Sequence, residues 1–169
     1  MENRKIQILI IDLGSQYTQI IRRSLRYLGF HSIILSPSKS SSWVKENRLK
    51  GLQGIILSGG SASVYDANAP KIPKELLDFA VPVLGICYGM QWMAYINDKN
   101  SVHKVKEGKS YGPVEVTLKE SKLFEKLGNS INAWSSHGDS IKKVPQNKLQ
   151  SFKVIATSRS GKVIEAMEN

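Results

Sequence analysis

A single cysteine, Cys87, stands among the 169 residues, so no disulfide can form within the chain, and a reducing, cytoplasmic setting is expected. Acidic side chains are scarce: 14 Asp and Glu face 24 Lys and Arg, a formal net charge of +10. Aromatic residues make up only 8% and do not interleave with the lysines, which are scattered rather than gathered into a basic motif. That pattern predicts a solvated basic surface serving docking or solubility, not nucleic-acid binding. Long apolar runs are missing too. The longest, residues 81–96, is broken by Pro82, Gly85, Gly89 and Gln91, so no membrane span is expected. The first apolar stretch, "IQILIID", ends in Asp12 and reads as a strand, not a signal peptide. What remains, 41% hydrophobic and 22% charged residues, is the composition of a globular domain with a real core.

Strand-like and helix-like segments alternate over the first hundred residues. Apolar runs at 6–12, 31–36, 54–57 and 81–86 predict buried strands. Between the first two, Tyr17, Ile20, Ile21, Ser24, Leu25 and Leu28 recur at helical spacing, with Arg22, Arg23 and Arg26 among them and Gly29 at the C-terminal stop. "SPSKSSS" predicts a polar loop followed by a short helix from Trp43; residues 73–79 and "YGMQWMAYI" predict two more helices. Uninterrupted apolar strands separated by helices imply an α/β fold with a mostly parallel sheet covered on both faces. After about residue 100 the texture changes to short strand-like pieces, "VEVTL", "NAWS", "KVIATS" and "KVIEAM". A single domain, 1–169, with a strand-rich second half is expected.

Cys87 lies between the strand "VPVLGI" and a helix, with Gly85 two residues before it and Gly89 two residues after. A sharp strand-to-helix turn needs small neighbours at those two positions, and it carries its nucleophile to the ligand-binding edge of an open α/β sheet. The helix N-terminus favours thiolate over thiol, and the backbone N–H of Tyr88 faces the place where an oxyanion would develop. A buried cysteine can also be plain core filling, but that alone does not call for the flanking glycines. "LSGG", ending at Gly60, closes the preceding strand and offers a second backbone donor; a plain tight turn has the same composition. "SGGSAS" is similar to the phosphate loop of ATP pyrophosphatases, but that loop requires an aspartate where Ala62 stands.

Taken together, "DLGSQYTQIIRR", "LSGGSASVYD", "GICYGMQ" and "SSHGDSI" closely resemble the GMP-synthase branch of the class I glutamine amidotransferases, over nearly the whole chain and in the family's order. The resemblance implies a flavodoxin-like amidotransferase fold and hydrolysis of glutamine through a γ-glutamyl thioester. The ammonia would pass to an ATP pyrophosphatase domain, in cis or in trans, that aminates adenylated XMP. It assigns Cys87 as nucleophile and the backbones of Gly60 and Tyr88 as oxyanion donors. Gln91, Ser136, His137, Gly138 and Asp139 would line the glutamine site. No cofactor or metal is implied for this domain; ATP and magnesium belong to the synthetase domain, which the 169 residues do not contain.

One departure is plain. The family completes its triad with a histidine and a glutamate in a "GVQFHPE"-like strand, and no His-Pro-Glu occurs in the sequence. The chain is therefore expected to be C-terminally incomplete, with impaired turnover, exposed apolar residues and an unpaired sheet edge. His137 is assigned to substrate binding rather than to the role of base, and His31 and His103 read as strand-edge and loop residues. Two further readings share these residues: a non-catalytic glutamine-binding or docking module, and an amidotransferase of another complex such as anthranilate synthase, which "GSQYTQ" disfavours.

Overall fold

A computed structural model of the chain describes residues 5–104, 110–146 and 151–169. Its contacts divide the chain into two compact units, Met1–Met90 and Gln91–Asn169.

In the first unit, β1 (Ile8–Ile11), β2 (Ser32–Leu35), β3 (Gly54–Leu57) and β4 (Val83–Gly85) form a parallel sheet in the order β2-β1-β3-β4. This is the strand order of a flavodoxin-like sheet through its first four strands. Leu9, Ile10, Ile11, Ile55 and Leu57 are at most 1% exposed. Consecutive positions are buried because both faces of the central strands are covered, which is why β1 and β3 are apolar throughout rather than alternating. Each such side chain contributes about 1.5–3 kcal/mol by leaving water. At one edge β4 pairs with β3 alone among the described strands, and Leu84 and Ile86 are exposed there.

Helix α1 (Thr18–Tyr27) ends where Gly29 takes a φ of +87°. Gly29 N–H donates to the Arg26 carbonyl and Phe30 N–H to that of Leu25, a Schellman closure that only a residue tolerant of the left-handed region completes without strain. The apolar face expected to pack is mostly in solvent. Thr18 is the helix's one buried residue, whereas Tyr17, Ile20, Tyr27 and Leu28 are exposed. Periodicity reports a preference for apolar surroundings, not the presence of a neighbour to supply them.

The serine-rich segment is not a loop. Helix α2 spans Pro37–Asn47, with Ser36 extended at its N-cap and Pro37 at the first turn. Proline fits there because its fixed φ is helical and its missing N–H has no partner to lose. Ser40 and Ser42 donate to the carbonyls of Pro37 and Lys39, so hydroxyls that read as loop signals are absorbed by the helix itself. Residues 73–79 hold only a short 3₁₀ turn, Lys74–Asp78. Helix α3 (Tyr88–Asn97) follows β4 as expected.

The second unit carries a six-stranded antiparallel sheet in the order β5-β8-β10-β9-β6-β7. Its strands are β5 (Val102–Lys104), β6 (Ser110–Leu118), β7 (Ser130–His137), β8 (Asp139–Ile141), β9 (Lys153–Ser158) and β10 (Ile164–Glu168). Val116, Leu118 and Ala156 form a core against which Val114, Phe124, Ile131, Ala133 and Ala166 pack. The strand-rich second half is thus as expected, but β5 and β8 are too short to read from sequence, and His103 lies in a strand rather than a loop.

At the end of β10, the Glu168 carboxylate accepts from Lys153 Nζ at 2.8 Å and from Ser121 Oγ at 2.5 Å. These two bonds, the lysine first, hold Glu168 below the usual glutamate range, and the same ion pair raises Lys153. A depressed carboxylate stabilises the fold above its unfolded value of about 4.3 and loses that contribution as pH falls through its lower folded value. The lysine's share persists below about 10.4 and disappears as pH rises through its raised value. The pair is solvent-accessible, so the effect is small. Urea midpoints measured from pH 6 to 3 should therefore fall slightly less steeply in Glu168→Gln than in the parent chain. Identical slopes would show that the carboxylate does not contribute to acid stability.

Candidate active site

The parallel register pairs Leu57 with Gly85, and Ile86 N–H donates to the Leu57 carbonyl at 2.9 Å. The two chain segments that follow, Ser58–Gly60 and Ile86–Tyr88, therefore leave the sheet side by side at its C-terminal edge. This is where open α/β sheets bind their ligands.

Cys87 forms the turn with a φ of +51°, a left-handed conformation in a residue that has a Cβ. Such a conformation costs of order 1–3 kcal/mol and persists only where the surroundings impose it. Those surroundings are visible at the two glycines. A Cβ on Gly85 would lie 2.6 Å from Met90 N and 2.7 Å from the Gly89 carbonyl carbon. A Cβ on Gly89 would lie 2.6 Å from the Leu57 carbonyl oxygen and 2.7 Å from Leu57 Cβ. The helix thus starts so close to its own strand, and to β3, that no side chain fits at either position. The glycines flanking the cysteine are steric necessities.

The neighbouring loop is equally close. A Cβ on Gly59 would stand 3.4 Å from Cys87 Cβ and 3.6 Å from Ser15 Oγ. On Gly60 it would collide with the Leu13 carbonyl oxygen, while lying 3.7 Å from Tyr88 Cβ. Gly60 and Tyr88 are thereby brought together beside Cys87. Tyr88 N–H, at the first residue of α3, has no acceptor within the helix. The Tyr88 ring is buried, and its hydroxyl donates to the Pro70 carbonyl at 3.2 Å. Burial first, and the nearby Asp66 second, push that phenol above its ordinary value, so the side chain stays neutral and acts as an anchor.

Two supporting residues escaped the sequence reading. Ser58, fully buried, accepts from Leu13 N–H at 2.9 Å and donates to the Gly59 carbonyl at 3.1 Å, which joins the glycine pair to the end of β1. Asp12 accepts from Gly14 N–H and Thr18 Oγ1, fixing the loop that carries Ser15. The signal was present in "LSGG" and "DLGSQYT", as short polar residues beside glycines; Asp12 bonds within its own segment, whereas Ser58 reaches Leu13, 45 residues away in sequence.

In the second unit, Gln91 is buried in α3 and donates from Nε2 to the Asp139 backbone carbonyl at 3.1 Å. Ser136 is exposed near the end of β7, Gly138 links β7 to β8, and Asp139 is buried at the start of β8. The backbone of His137 ends β7; its side chain lies outside what the structure describes. Gln91 and Asp139 are thus joined, as are Cys87, Gly60 and Tyr88.

A parallel α/β sheet with a cysteine on the strand-to-helix turn at its C-terminal edge, and a glycine pair beside it, has the backbone geometry of the α/β elbow class of folds. The model of the family "Glutamine amidotransferase class-I" matches residues 9–169, and the chain belongs to that family. It is 41% identical over 171 residues to the GMP synthase [glutamine-hydrolyzing] of Brachyspira hyodysenteriae, covering 100% of this chain and 31% of the relative. It is 40% identical over 154 residues to that of Ligilactobacillus salivarius, covering 90% of this chain and 28% of the relative. The chain thus spans under a third of the length of these curated relatives and is homologous to their amidotransferase part. Among solved structures, a GMP synthase component from Thermoplasma acidophilum matches with a TM-score of 0.70 at 28% identity, over 96% of this chain and 77% of its own. A glutamine amidotransferase of Thermotoga maritima shares the fold, with a TM-score of 0.70 at 22% identity over 98% of this chain and 74% of its own.

The steric reading of the elbow is testable by itself. Gly89→Ala forces a methyl into the backbone of β3, which cannot yield without breaking the β3–β4 pairing, and should cost about 3 kcal/mol in urea unfolding. A change below about 0.5 kcal/mol, the usual size for an unconstrained surface site, would show that the turn has room to spare.

Proposed function

We propose that this chain is the glutamine-hydrolysing part of a GMP synthase. The observation that carries the reading is the Cys87 elbow, held left-handed against the Gly59–Gly60 backbone at the C-terminal edge of the sheet. In the proposed reaction the Cys87 thiolate attacks the γ-carboxamide carbon of glutamine. The carbonyl oxygen becomes an oxyanion facing the N–H groups of Gly60 and Tyr88. Collapse breaks the C–N bond, the nitrogen takes a proton and leaves as ammonia, and a γ-glutamyl thioester remains. Water then attacks the thioester, releasing glutamate and restoring the thiol. Gln91, Ser136, His137, Gly138 and Asp139 are assigned to holding the amino acid's α-substituents: a carboxylate suits an ammonium, and backbone N–H groups suit a carboxylate.

The ammonia serves, in this reading, a partner ATP pyrophosphatase domain that aminates XMP. ATP and magnesium are assigned to that domain and no cofactor to glutamine hydrolysis. Proton transfer at Cys87 requires a base, and the 169 residues contain no His-Pro-Glu segment of the kind the family uses.

An electrophile that carries its own leaving group needs no acid to expel nitrogen, so it tests the nucleophile separately from turnover. A chloroketone analogue of glutamine should label this chain once, at Cys87, with glutamine protecting against it; intact-mass and peptide mass spectrometry would read both. Labelling of Cys87→Ser to the same extent, or no protection by glutamine, would refute the assignment.

A further inference from the structure

Helix α1 carries Arg22, Arg23 and Arg26 and no acidic residue in its first turn. With Gln19, His31 and Ser32 these arginines line one concavity of about 260 Å³ in the first unit. None of the three guanidinium groups forms an ion pair among the described residues. At the helix terminus the carbonyls of Ser24, Leu25 and Arg26 accept from Leu28, Phe30 and Gly29 N–H. The Schellman closure that ends α1 also turns the chain so that Phe30 and His31 form the facing wall. That wall is fixed: His31 N–H donates to Gln7 Oε1, and its carbonyl accepts from Gln7 and Ile8 N–H.

We infer that this concavity is a binding site for a phosphoryl-bearing small molecule. Three uncompensated forks within five residues repel one another, and a single carboxylate would neutralise only one of them. A phosphate carries about two charges and offers several oxygens to bidentate donors. The volume lies just below the roughly 300–1,000 Å³ of pockets for drug-sized ligands, which favours a compact anion. Gln19 on α1 and Ser32 and His31 beyond it supply further polar groups, and Phe30 an apolar side. The site is separate from Cys87 and from the glutaminase reading.

Isothermal titration of the 169-residue chain at 0.15 M salt tests it, with inorganic pyrophosphate and adenosine diphosphate as probes and sulfate as the reference anion. At least one phosphorylated probe should bind tenfold or more tighter than sulfate. Tighter binding of adenosine diphosphate assigns a nucleotide, and equal or tighter binding of pyrophosphate assigns a free polyphosphate. Arg22→Gln/Arg26→Gln should weaken the preferred probe tenfold or more, and Arg22→Lys/Arg26→Lys by an intermediate factor, since lysine keeps the charge but loses the fork. These side chains are exposed, so both variants should retain the parent's thermal transition; Arg23→Gln alone replaces them if they do not. The charge-matched control Lys119→Gln/Lys122→Gln should change binding less than twofold. Equal weakening in that control, no preference over sulfate, or displacement of the probe by duplex DNA with a steep salt dependence would overturn the proposal.

Discussion

The whole site hangs on one steric constraint, the approach of the start of α3 to the ends of β3 and β4. Gly89 is brought against the Leu57 carbonyl and Gly85 against Met90 N, and Cys87 between them takes the left-handed conformation. The turn therefore stores strain that the buried pairing of β1 with β3, and the pairing of β3 with β4, hold in place. Leu57 belongs to both halves of this arrangement, as a fully buried core residue and as the backbone against which the elbow closes. Core packing and the placement of Cys87 are the same contact seen from two sides.

The glycine pair at the end of β3 extends that logic. Gly59 and Gly60 pass close to Cys87 and Tyr88 because neither glycine puts a side chain into the gap. Ser58 and Asp12, each holding two groups across the loops, convert that closeness into a fixed position. Preorganised donors are what oxyanion stabilisation requires, since dipoles that need not reorient when charge develops give the largest effect. Membership of the class-I glutamine amidotransferases and a cysteine in this geometry are independent observations that agree.

The two units draw on different packing rules, and legibility differs between them. In the first, strands buried on both faces are continuous apolar runs, so "GIIL" and "IQILII" were readable, as was the helix closed by Gly29. The serine-rich segment misled because serine and proline favour loops in general but fit a helix's first turn, where Pro37 sits with Ser36 before it. In the second unit β5 and β8 have three residues each, shorter than any period can reveal, and they form through long-range pairing, Val102–Lys104 with Asp139–Ile141 and Ile141 with Ile164. Gln91 was singled out by motif alone; its bond to the Asp139 carbonyl joins residues 48 apart in sequence.

The sequence by itself determined the elements that local chemistry dictates: the apolar strands, the stop at Gly29, and the glycine–cysteine–glycine spacing with its resemblance to an amidotransferase. Each is a property of neighbours in the chain, and a few residues suffice to impose it. Tertiary structure alone decided which glycines are sterically obligatory, which polar side chains brace the site, and which apolar faces find cover. The exposed face of α1, and the three arginines beside it that find no ion pair among the described residues, show why. Amphipathic spacing and charge are written residue by residue, whereas burial and ion pairing depend on partners that folding must bring from elsewhere.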